Sequence, residues 1–217
     1  MKTIAIIPAH NEEKRISKVI RKTKKYVKNV VVVDDGSKDQ TVNCAEQENV
    51  VVLKHIINLG KGAALKTGCE YAVMNGFDHI VVLDSDGQHD PAEIPLFLDA
   101  LKKTDVVFGS RSFNKNMPFV MRFGNWFIRQ VNKQFFGVSI QDTQSGYRAF
   151  TSHAYKKMRW KSLNYSVESE MIANVGKKNL KYKEIKITTK YLDRYKGTTI
   201  LDGIKIVLNM FWWKLSR

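Results

Sequence analysis

Short apolar runs punctuate the first half of this 217-residue sequence, and most of them end in a polar cluster. The runs are Thr3–Ile7, Val30–Val33, Val50–Leu53, Ile80–Leu83 and Val106–Phe108. Segments with helical spacing lie between them, at Glu12–Val27, Asp39–Glu48, Gly60–Asn75 and Pro91–Leu101. Continuous apolar strands that alternate with helices are typical of a parallel sheet buried on both faces. We therefore predict an α/β fold with a mostly parallel central sheet flanked by helices.

The second half follows a different pattern. Helical spacing recurs at Phe119–Phe136, Ser166–Lys177 and Ile200–Arg217, a polar loop at Gln141–Arg148 leads into a short strand, and Lys181–Thr188 alternates as an edge strand does. The sequence contains no internal repeat and no linker rich in proline or glycine. We therefore expect one domain, residues 1–199, with a basic and aromatic C-terminal helix at residues 200–217.

The composition is that of a globular protein that folds without covalent cross-links. Hydrophobic residues make up 43% and charged residues 26% of the chain, which argues against disorder. The only cysteines, Cys44 and Cys69, exclude a disulfide scaffold and fit a reducing cytosol. No apolar run approaches the roughly 18 residues that span a bilayer, and the first apolar run is too short for a signal peptide. We expect neither a membrane span nor secretion.

Charge is distributed unevenly along the chain. Residues 1–101 carry 13 basic and 14 acidic side chains, whereas residues 102–217 carry 23 basic and 7 acidic ones. A basic second half favours contact with polyanions, either a nucleic acid or an anionic membrane surface. Solubility alone is the simpler interpretation, although a smaller net charge would already provide it.

Four polar clusters follow the predicted strands of the first half. They are Pro8–Glu12, Asp34–Ser37, Asp84–Asp86 and Gly109–Arg111. Right-handed crossovers bring the carboxyl ends of parallel strands to one edge of a sheet, where ligands of such sheets bind. We therefore expect the functional site at this edge.

Asp84-Ser85-Asp86 is the clearest candidate for a metal site. Two carboxylates one residue apart after a buried strand can hold one divalent cation, and oxygen ligands favour Mg²⁺ or Mn²⁺. Such an ion would bridge the oxygens of a diphosphate. The alternative is a solvated turn; the preceding strand and the nearby Gln88 favour the metal site. His89 is a weaker candidate for the same site.

Two further segments suit a nucleotide. A carboxylate of Asp34-Asp35 can accept hydrogen bonds from a ribose hydroxyl or a base N–H, and Ser37 is expected to cap the next helix. The segment Asn58–Gly62 places Lys61 at a helix N-terminus, whose amides could face a ribose or a phosphate. A plain helix entry is an equal alternative for this segment. The first strand lacks the GxGxxG pattern that should follow it in a dinucleotide-binding fold.

The ordered set of motifs resembles the family 2 inverting glycosyltransferases of GT-A fold, and within them the dolichol-phosphate mannosyltransferase-like group. The motifs that carry the resemblance are Pro8–Glu12, Val33–Ser37, Asn58–Gly62, Asp84–Gln88 and Asp142–Arg148. The resemblance spans about residues 2–200. It implies a nucleotide-sugar donor, a divalent metal and a polyprenyl-phosphate acceptor. It divides the domain into a nucleotide-sugar half, residues 1–111, and an acceptor half, residues 112–199.

The resemblance also implies roles for individual residues. The donor site would comprise Pro8, His10, Glu12, Asp35, Lys61 and Asp84, and the metal site Asp84, Asp86 and Gln88. Asp142 would lie near the transferred sugar, while Arg111, Arg122 and Arg194 would meet phosphates of the acceptor or donor. Asp86, Asp142, Arg111 and Arg194 are the candidate catalytic residues. Arg129 competes with Arg122, and the family often has tyrosine at the position of His10.

The chemistry of the acceptor can be argued separately. A hydroxyl acceptor must lose a proton as it attacks and so needs a positioned base. A phosphate monoester is already anionic near pH 7 and needs cations instead, a task that suits arginine. Together with the donor that the resemblance implies, this leads us to expect transfer of glucose or mannose from a UDP- or GDP-linked donor to a polyprenyl or dolichyl phosphate. A family 2 enzyme with a saccharide or lipid hydroxyl acceptor is the first alternative, and an RNA-binding module is the second.

The C-terminal segment Ile200–Arg217 is the candidate membrane contact. Its apolar residues share one helical face, Trp212 and Trp213 suit the headgroup level, and its basic residues suit anionic lipid. Packing on the protein's own core is the alternative. Many members of the resembling group carry C-terminal transmembrane helices, which this sequence lacks up to Arg217. We therefore expect a cytoplasmic protein, peripheral at the cytosolic membrane face, alone or with a separate membrane protein as partner, and no nucleic acid.

Overall fold

The computed structural model describes residues 1–111, 119–164, 166–189, 209, 210, 212 and 213, and only the backbone of residues 119–125. The predicted C-terminal helix at 200–217 therefore lies largely outside the described residues. Arg194 and the side chain of Arg122, two of the predicted site residues, also lie outside the described residues.

Seven strands form one sheet in the order β3-β2-β1-β4-β6-β5-β7. The strands are β1 (Thr3–Ala9), β2 (Asn29–Asp34), β3 (Val51–Lys54), β4 (His79–Val82), β5 (Val106–Arg111), β6 (Arg148–Thr151) and β7 (Tyr182–Ile187). Every pairing is parallel except those of β6, which runs antiparallel to both β4 and β5. The prediction of a mostly parallel sheet is confirmed, and β7 is an edge strand as expected.

Helices connect and cover the strands. They are α1 (Ile16–Lys24), α2 (Thr41–Glu46), α3 (Lys61–Met74), α4 (Ile94–Leu101), α5 (Phe119–Phe136), α6 (Ser152–Met158) and α7 (Val167–Lys177), with a 3₁₀ turn at Pro91–Glu93 before α4. The sequence patterns predicted all of them except α6. This helix starts directly after β6, where the Thr151 hydroxyl accepts a hydrogen bond from the Ala154 amide and caps it.

Apolar layers cover both faces of the sheet, as the continuous strands require. Along β1, Ile4 and Ile6 pack toward α3, α6 and α7, while Ala5 and Ile7 pack toward α1 and α4 on the other face. These side chains are almost completely buried. Fully burying an aliphatic side chain contributes about 1.5–3 kcal/mol, so the two layers are the main source of stability. No helix among the described residues is both long and apolar enough to cross a membrane.

The reversal of β6 determines what lies at the carboxyl edge of the sheet. Strands β1, β2, β4 and β5 all end at this edge, and β6 begins there because it runs in the opposite direction. The loop 142–147 therefore meets the ends of β4 and β5. This brings the polar clusters of the first half together with the motif Asp142–Arg148.

Candidate active site

Asp84 lies just after β4 and forms the centre of the site. Its Oδ1 is 2.6 Å from Nζ of Lys61, the first residue of α3. Burial would raise the pKa of Asp84, but the charge and hydrogen bond of Lys61, together with the charges of His89 and Arg111, outweigh this effect and lower the pKa to about 2. Asp84 is therefore a carboxylate at any physiological pH.

The carboxylate of Asp86 is less well stabilised by its surroundings than that of Asp84. Its Oδ1 accepts a hydrogen bond of 2.9 Å from the backbone amide of Gln88. Burial, and then the neighbouring charge of Asp84, raise the pKa of Asp86 above its ordinary value. Two carboxylates that repel each other in this way are stabilised by a shared cation, and their hard oxygen atoms suit Mg²⁺ or Mn²⁺.

The described residues contain no group of three or more His, Cys, Asp and Glu side chains with metal-binding geometry. Two carboxylates would thus leave most of an octahedral shell to other ligands. This arrangement fits a Mg²⁺ or Mn²⁺ ion that arrives with a diphosphate, since Mg²⁺ is usually held by one or two carboxylates plus substrate phosphates.

Lys61 has a second acidic partner. Its Nζ is 2.9 Å from Oε1 of Glu168, which lies in the first turn of α7. Burial would lower the pKa of Lys61, yet the two carboxylates together raise it above its ordinary value. The ammonium group therefore stays charged between Asp84 and Glu168.

Gly146 closes another side of this cluster. A Cβ atom at this position would lie 2.5 Å from Oδ2 of Asp84 and 2.8 Å from Nζ of Lys61. Real Cβ atoms essentially never approach other atoms this closely. The loop before β6 thus packs its backbone directly against the carboxylate and the ammonium group.

Asp35 organises the loop that precedes α3. Its carboxylate is buried and accepts hydrogen bonds from the backbone amides of Leu59 (2.9 Å) and Gly60 (2.7 Å), while Nδ1 of His55 lies 2.7 Å away. Gly60 adopts a positive φ of 97°, which favours glycine. The predicted nucleoside contact of Asp35 remains a prediction, and the structure adds a local role for the carboxylate.

Two backbone amides in the first turn of α3 are hydrogen-bonded to another loop. The backbone amides of Gly62 and Ala63 donate to the carbonyl oxygen of Leu163, at 2.7 and 3.2 Å. Their hydrogen bonds match the plain helix entry that the sequence left as an alternative.

The predicted cap of α2 by Ser37 is wrong. The helix begins later, at Thr41, whose backbone amide and hydroxyl donate to the Asp39 carboxylate. The Ser37 hydroxyl instead accepts a hydrogen bond from the backbone amide of Asn11.

The remaining predicted donor residues lie at the ends of β1 and β2. Pro8 is buried within β1, and Nδ1 of the exposed His10 lies 2.9 Å from the backbone oxygen of Asp35. The Glu12 carboxylate is buried and pairs with Arg15 at 3.0 Å. These residues therefore share one corner of the edge with Asp35.

Arg111 and Asp142 form a close ion pair. The guanidinium Nε and Nη2 atoms donate to the two oxygens of Asp142 at 2.6 and 3.0 Å. Although burial alone would raise the pKa of Asp142, the hydrogen bonds and charge of Arg111 lower it. The charge of Arg111 also helps to lower the pKa of Asp84, so both pairs belong to one charged site.

Sequence reasoning missed the role of Arg148. This arginine is 2% exposed and donates to three backbone carbonyls, those of Ser145 (2.9 Å), Glu168 (2.8 Å) and Thr143 (3.2 Å). It therefore ties the loop before β6 to the start of α7. Burial lowers its pKa to about 10, so it remains charged. The available signal was a charged residue at the start of an otherwise buried strand.

The side chain of His89 is buried beneath the carboxyl edge of the sheet. It is 6% exposed, its ring stacks on Tyr147 at 5.0 Å, and its Nδ1 accepts from the backbone amide of Asp84 at 3.3 Å. Burial lowers the pKa of His89 to about 4. The ring is thus neutral near pH 7 and supports the turn that carries Asp84.

Residues 4–163 match the profile of the family described as Glycosyl transferase family 2. The chain belongs to this family. It is therefore a glycosyltransferase, and the resemblance seen in the sequence is confirmed. The family membership favours the enzyme over the RNA-binding alternative.

Relatives in this family match almost the whole chain. A UDP-N-acetylglucosamine–dolichyl-phosphate N-acetylglucosaminyltransferase of Methanococcus voltae is 32% identical, over 98% of this chain and 96% of the relative. An undecaprenyl-phosphate mannosyltransferase of Micrococcus luteus is 27% identical, over 100% and 95%.

The fold is also that of solved glycosyltransferases. Glucosyl-3-phosphoglycerate synthase of Mycobacterium tuberculosis, crystallised with Mn²⁺, UDP and phosphoglyceric acid, superposes with a TM-score of 0.78. The match covers 98% of this chain and 78% of the synthase at 17% identity. This likeness confirms the predicted GT-A fold.

Proposed function

We propose that this glycosyltransferase transfers a sugar from a nucleotide sugar to a polyprenyl phosphate, with inversion, at the cytosolic face of a membrane. The observation that carries the proposal is that two neighbouring carboxylates and an arginine–aspartate ion pair lie at one edge of the sheet. Asp84 with Asp86 suits a divalent cation, and Arg111 with Asp142 suits an anionic acceptor. The names of the two relatives, which specify dolichyl and undecaprenyl phosphate, support the same acceptor class.

The proposed roles are those that the resemblance implies. The metal would be held by Asp84, Asp86 and Gln88; the nucleotide by Pro8, His10, Glu12, Asp35, Lys61 and Asp84; and the acceptor phosphate by Arg111 and Arg122. Asp86, Asp142, Arg111 and Arg194 would act on the reacting groups. When bound, Mg²⁺ or Mn²⁺ would neutralise charge that develops on the departing diphosphate.

The state of Asp142 supports a phosphate acceptor. A general base works best when its pKa lies near the operating pH, whereas Arg111 holds the pKa of Asp142 below its ordinary value. Asp142 is therefore a poor base but a good partner for orienting Arg111. A phosphate monoester needs no base, so an oriented guanidinium group is what it requires.

One transfer assay tests the proposal. The protein is incubated with Mg²⁺ or Mn²⁺ and labelled UDP-glucose, UDP-N-acetylglucosamine or GDP-mannose, in parallel with polyprenyl phosphate and with polyprenol. We expect label in the organic phase only with the phosphate. Label on polyprenol would instead support the hydroxyl-acceptor alternative. An α-linked donor should give a β-linked product, and an α-linked product would contradict direct inversion.

The metal is tested in the same assay. Asp86→Ala should reduce transfer by at least about 100-fold, because a metal ligand stabilises transition-state charge by several kcal/mol. The residue lies in a turn, so the variant should retain its thermal unfolding temperature. Full activity in EDTA would overturn the metal dependence.

Membrane contact through residues 200–217 is part of the proposal. The intact protein should sediment with anionic vesicles. Binding should weaken as salt is added, because charges farther apart than the Debye length are screened and this length, about 8 Å at physiological ionic strength, shortens with salt. A variant that ends at Thr199 should bind less. Equal binding of both proteins would overturn this anchor.

A further inference from the structure

Glu168 is an unusual partner for Lys61. Its side chain is 6% exposed, and only Oε1 binds the ammonium group. The second oxygen, Oε2, is buried and has no hydrogen-bond partner among the described residues. An unpaired carboxylate oxygen is costly to bury, so this atom calls for an explanation beyond local stability.

The two carboxylates around Lys61 differ in access. Asp84 is 25% exposed, whereas Glu168 lies deeper in the protein. A divalent cation at Asp84 would place a second cation, with two positive charges, beside the ammonium group. Asp84 and Asp86 together carry too little charge to neutralise both a divalent cation and the ammonium group. The backbone of Gly146 packs closely against Lys61 on one side.

We propose that Glu168 is a positioning residue that retains the Lys61 ammonium group when a divalent cation takes over Asp84. This inference rests on the proposed metal dependence. Without metal, Lys61 bridges the two carboxylates as observed. With metal bound, the Lys61 ammonium group moves away from Asp84 and binds both carboxylate oxygens of Glu168, including Oε2, which has no partner in the metal-free arrangement.

The consequence is a defined effect on metal affinity. In Glu168→Gln, Lys61 retains Asp84 as its only carboxylate partner among the described residues, so a metal ion must displace it without compensation. Changes to outer partners of metal ligands cost about 10–100-fold in affinity. We expect a loss of about tenfold, which corresponds to about 1.4 kcal/mol.

The experiment measures Mn²⁺ binding by electron paramagnetic resonance of free Mn²⁺, with UDP and separately with GDP. The matched control is Glu170→Gln. Glu170 is equally buried on the same helix, but it accepts hydrogen bonds from the backbone amides of Lys161 and Ser162. We expect Glu170→Gln to bind Mn²⁺ as the wild type does.

A double-mutant cycle separates this role from a general electrostatic effect. In a Lys61→Met background, Glu168→Gln should no longer change Mn²⁺ affinity, because no ammonium group remains to be retained. An equal loss in both backgrounds would overturn the proposal. So would wild-type affinity in folded Glu168→Gln.

Two further arms keep the outcomes distinct. Glu168→Asp retains the negative charge and should therefore lose less Mn²⁺ affinity than Glu168→Gln. It tests the proposal even if Glu168→Gln fails to fold. A tenfold loss of affinity in Glu168→Asp would overturn the proposal. Absence of Mn²⁺ binding by the wild type would overturn the metal dependence together with this inference. Normal binding and transfer by wild type and Glu168→Gln alike would overturn only the inference.

Discussion

Arg111, the last residue of β5, binds the buried carboxylate of Asp142 through both its side chain and its backbone amide, the latter at 3.1 Å. The pair joins a strand end to the loop that enters β6. Asp142 therefore fixes the direction of the guanidinium group, and Arg111 keeps Asp142 ionised. Neither residue can be changed without affecting the other.

Asp142→Asn should lower the free energy of unfolding by about 3 kcal/mol, since removing the charge of a fully buried carboxylate from its ion pair is strongly destabilising. Urea unfolding measures the effect. The control is Asp99→Asn on α4, whose carboxylate is 77% exposed and pairs with Lys102. An exposed pair contributes about 0–1 kcal/mol. Equal stability losses in the two variants would contradict the importance of the buried pair.

Gly146→Ala should reduce transfer by about 100-fold, because the new methyl group displaces Asp84 and Lys61, and a shift of about 1 Å can have this effect. The assay with labelled nucleotide sugar measures it. Gly76→Ala is the control: its Cβ would meet nothing within 4 Å, although its φ of +67° costs stability. Gly76→Ala should therefore lower the unfolding temperature without loss of turnover, and wild-type turnover in Gly146→Ala would refute the prediction.

Arg148→Leu should destabilise the protein by about 3 kcal/mol or more, because three buried carbonyl oxygens lose their donor and each unpaired group costs about 1–3 kcal/mol. Thermal and urea unfolding provide the measurement. Arg159→Leu is the matched control, since Arg159 is 52% exposed and pairs with Glu70 at the surface. A loss below about 1 kcal/mol is expected there. The reverse order of the two losses would rule out the proposed role of Arg148.

Stability should fall as the pH drops from about 6.5 toward 4, and His89 should be a main cause. Burial lowers its folded-state pKa to about 4, against an ordinary value of 6.5. Between these values the unfolded chain binds the additional proton, so acid favours unfolding. His89→Phe keeps a ring against Tyr147 but does not titrate, and its urea-unfolding curve should change less over this range. An unchanged slope would assign the pH dependence to other groups.

The sequence predicts the fold best where a run of similar residues allows only one kind of environment. The β-branched run Val30–Val33 has apolar side chains on both faces of its strand, so both faces must be buried. This made β2 and its neighbours predictable. The four-residue strand Arg148–Thr151 is too short to reveal its direction, and its reversal depends on pairing with β4 and β5. The contact of Lys61 with Glu168 joins residues far apart in the chain. No local pattern could have indicated which carboxylate Lys61 would meet.

The reversed strand β6 also determines when the sheet can be completed during synthesis. Its four residues are the shared neighbour of β4 and β5, and β7, the other neighbour of β5, follows later still in the chain. A nascent chain that ends before residue 148 therefore leaves β4 with an open edge and β5 without either partner. Such edges template association with other chains. Assembly of the candidate site at the carboxyl edge and completion of the sheet by β7 are therefore both late events as the chain leaves the ribosome.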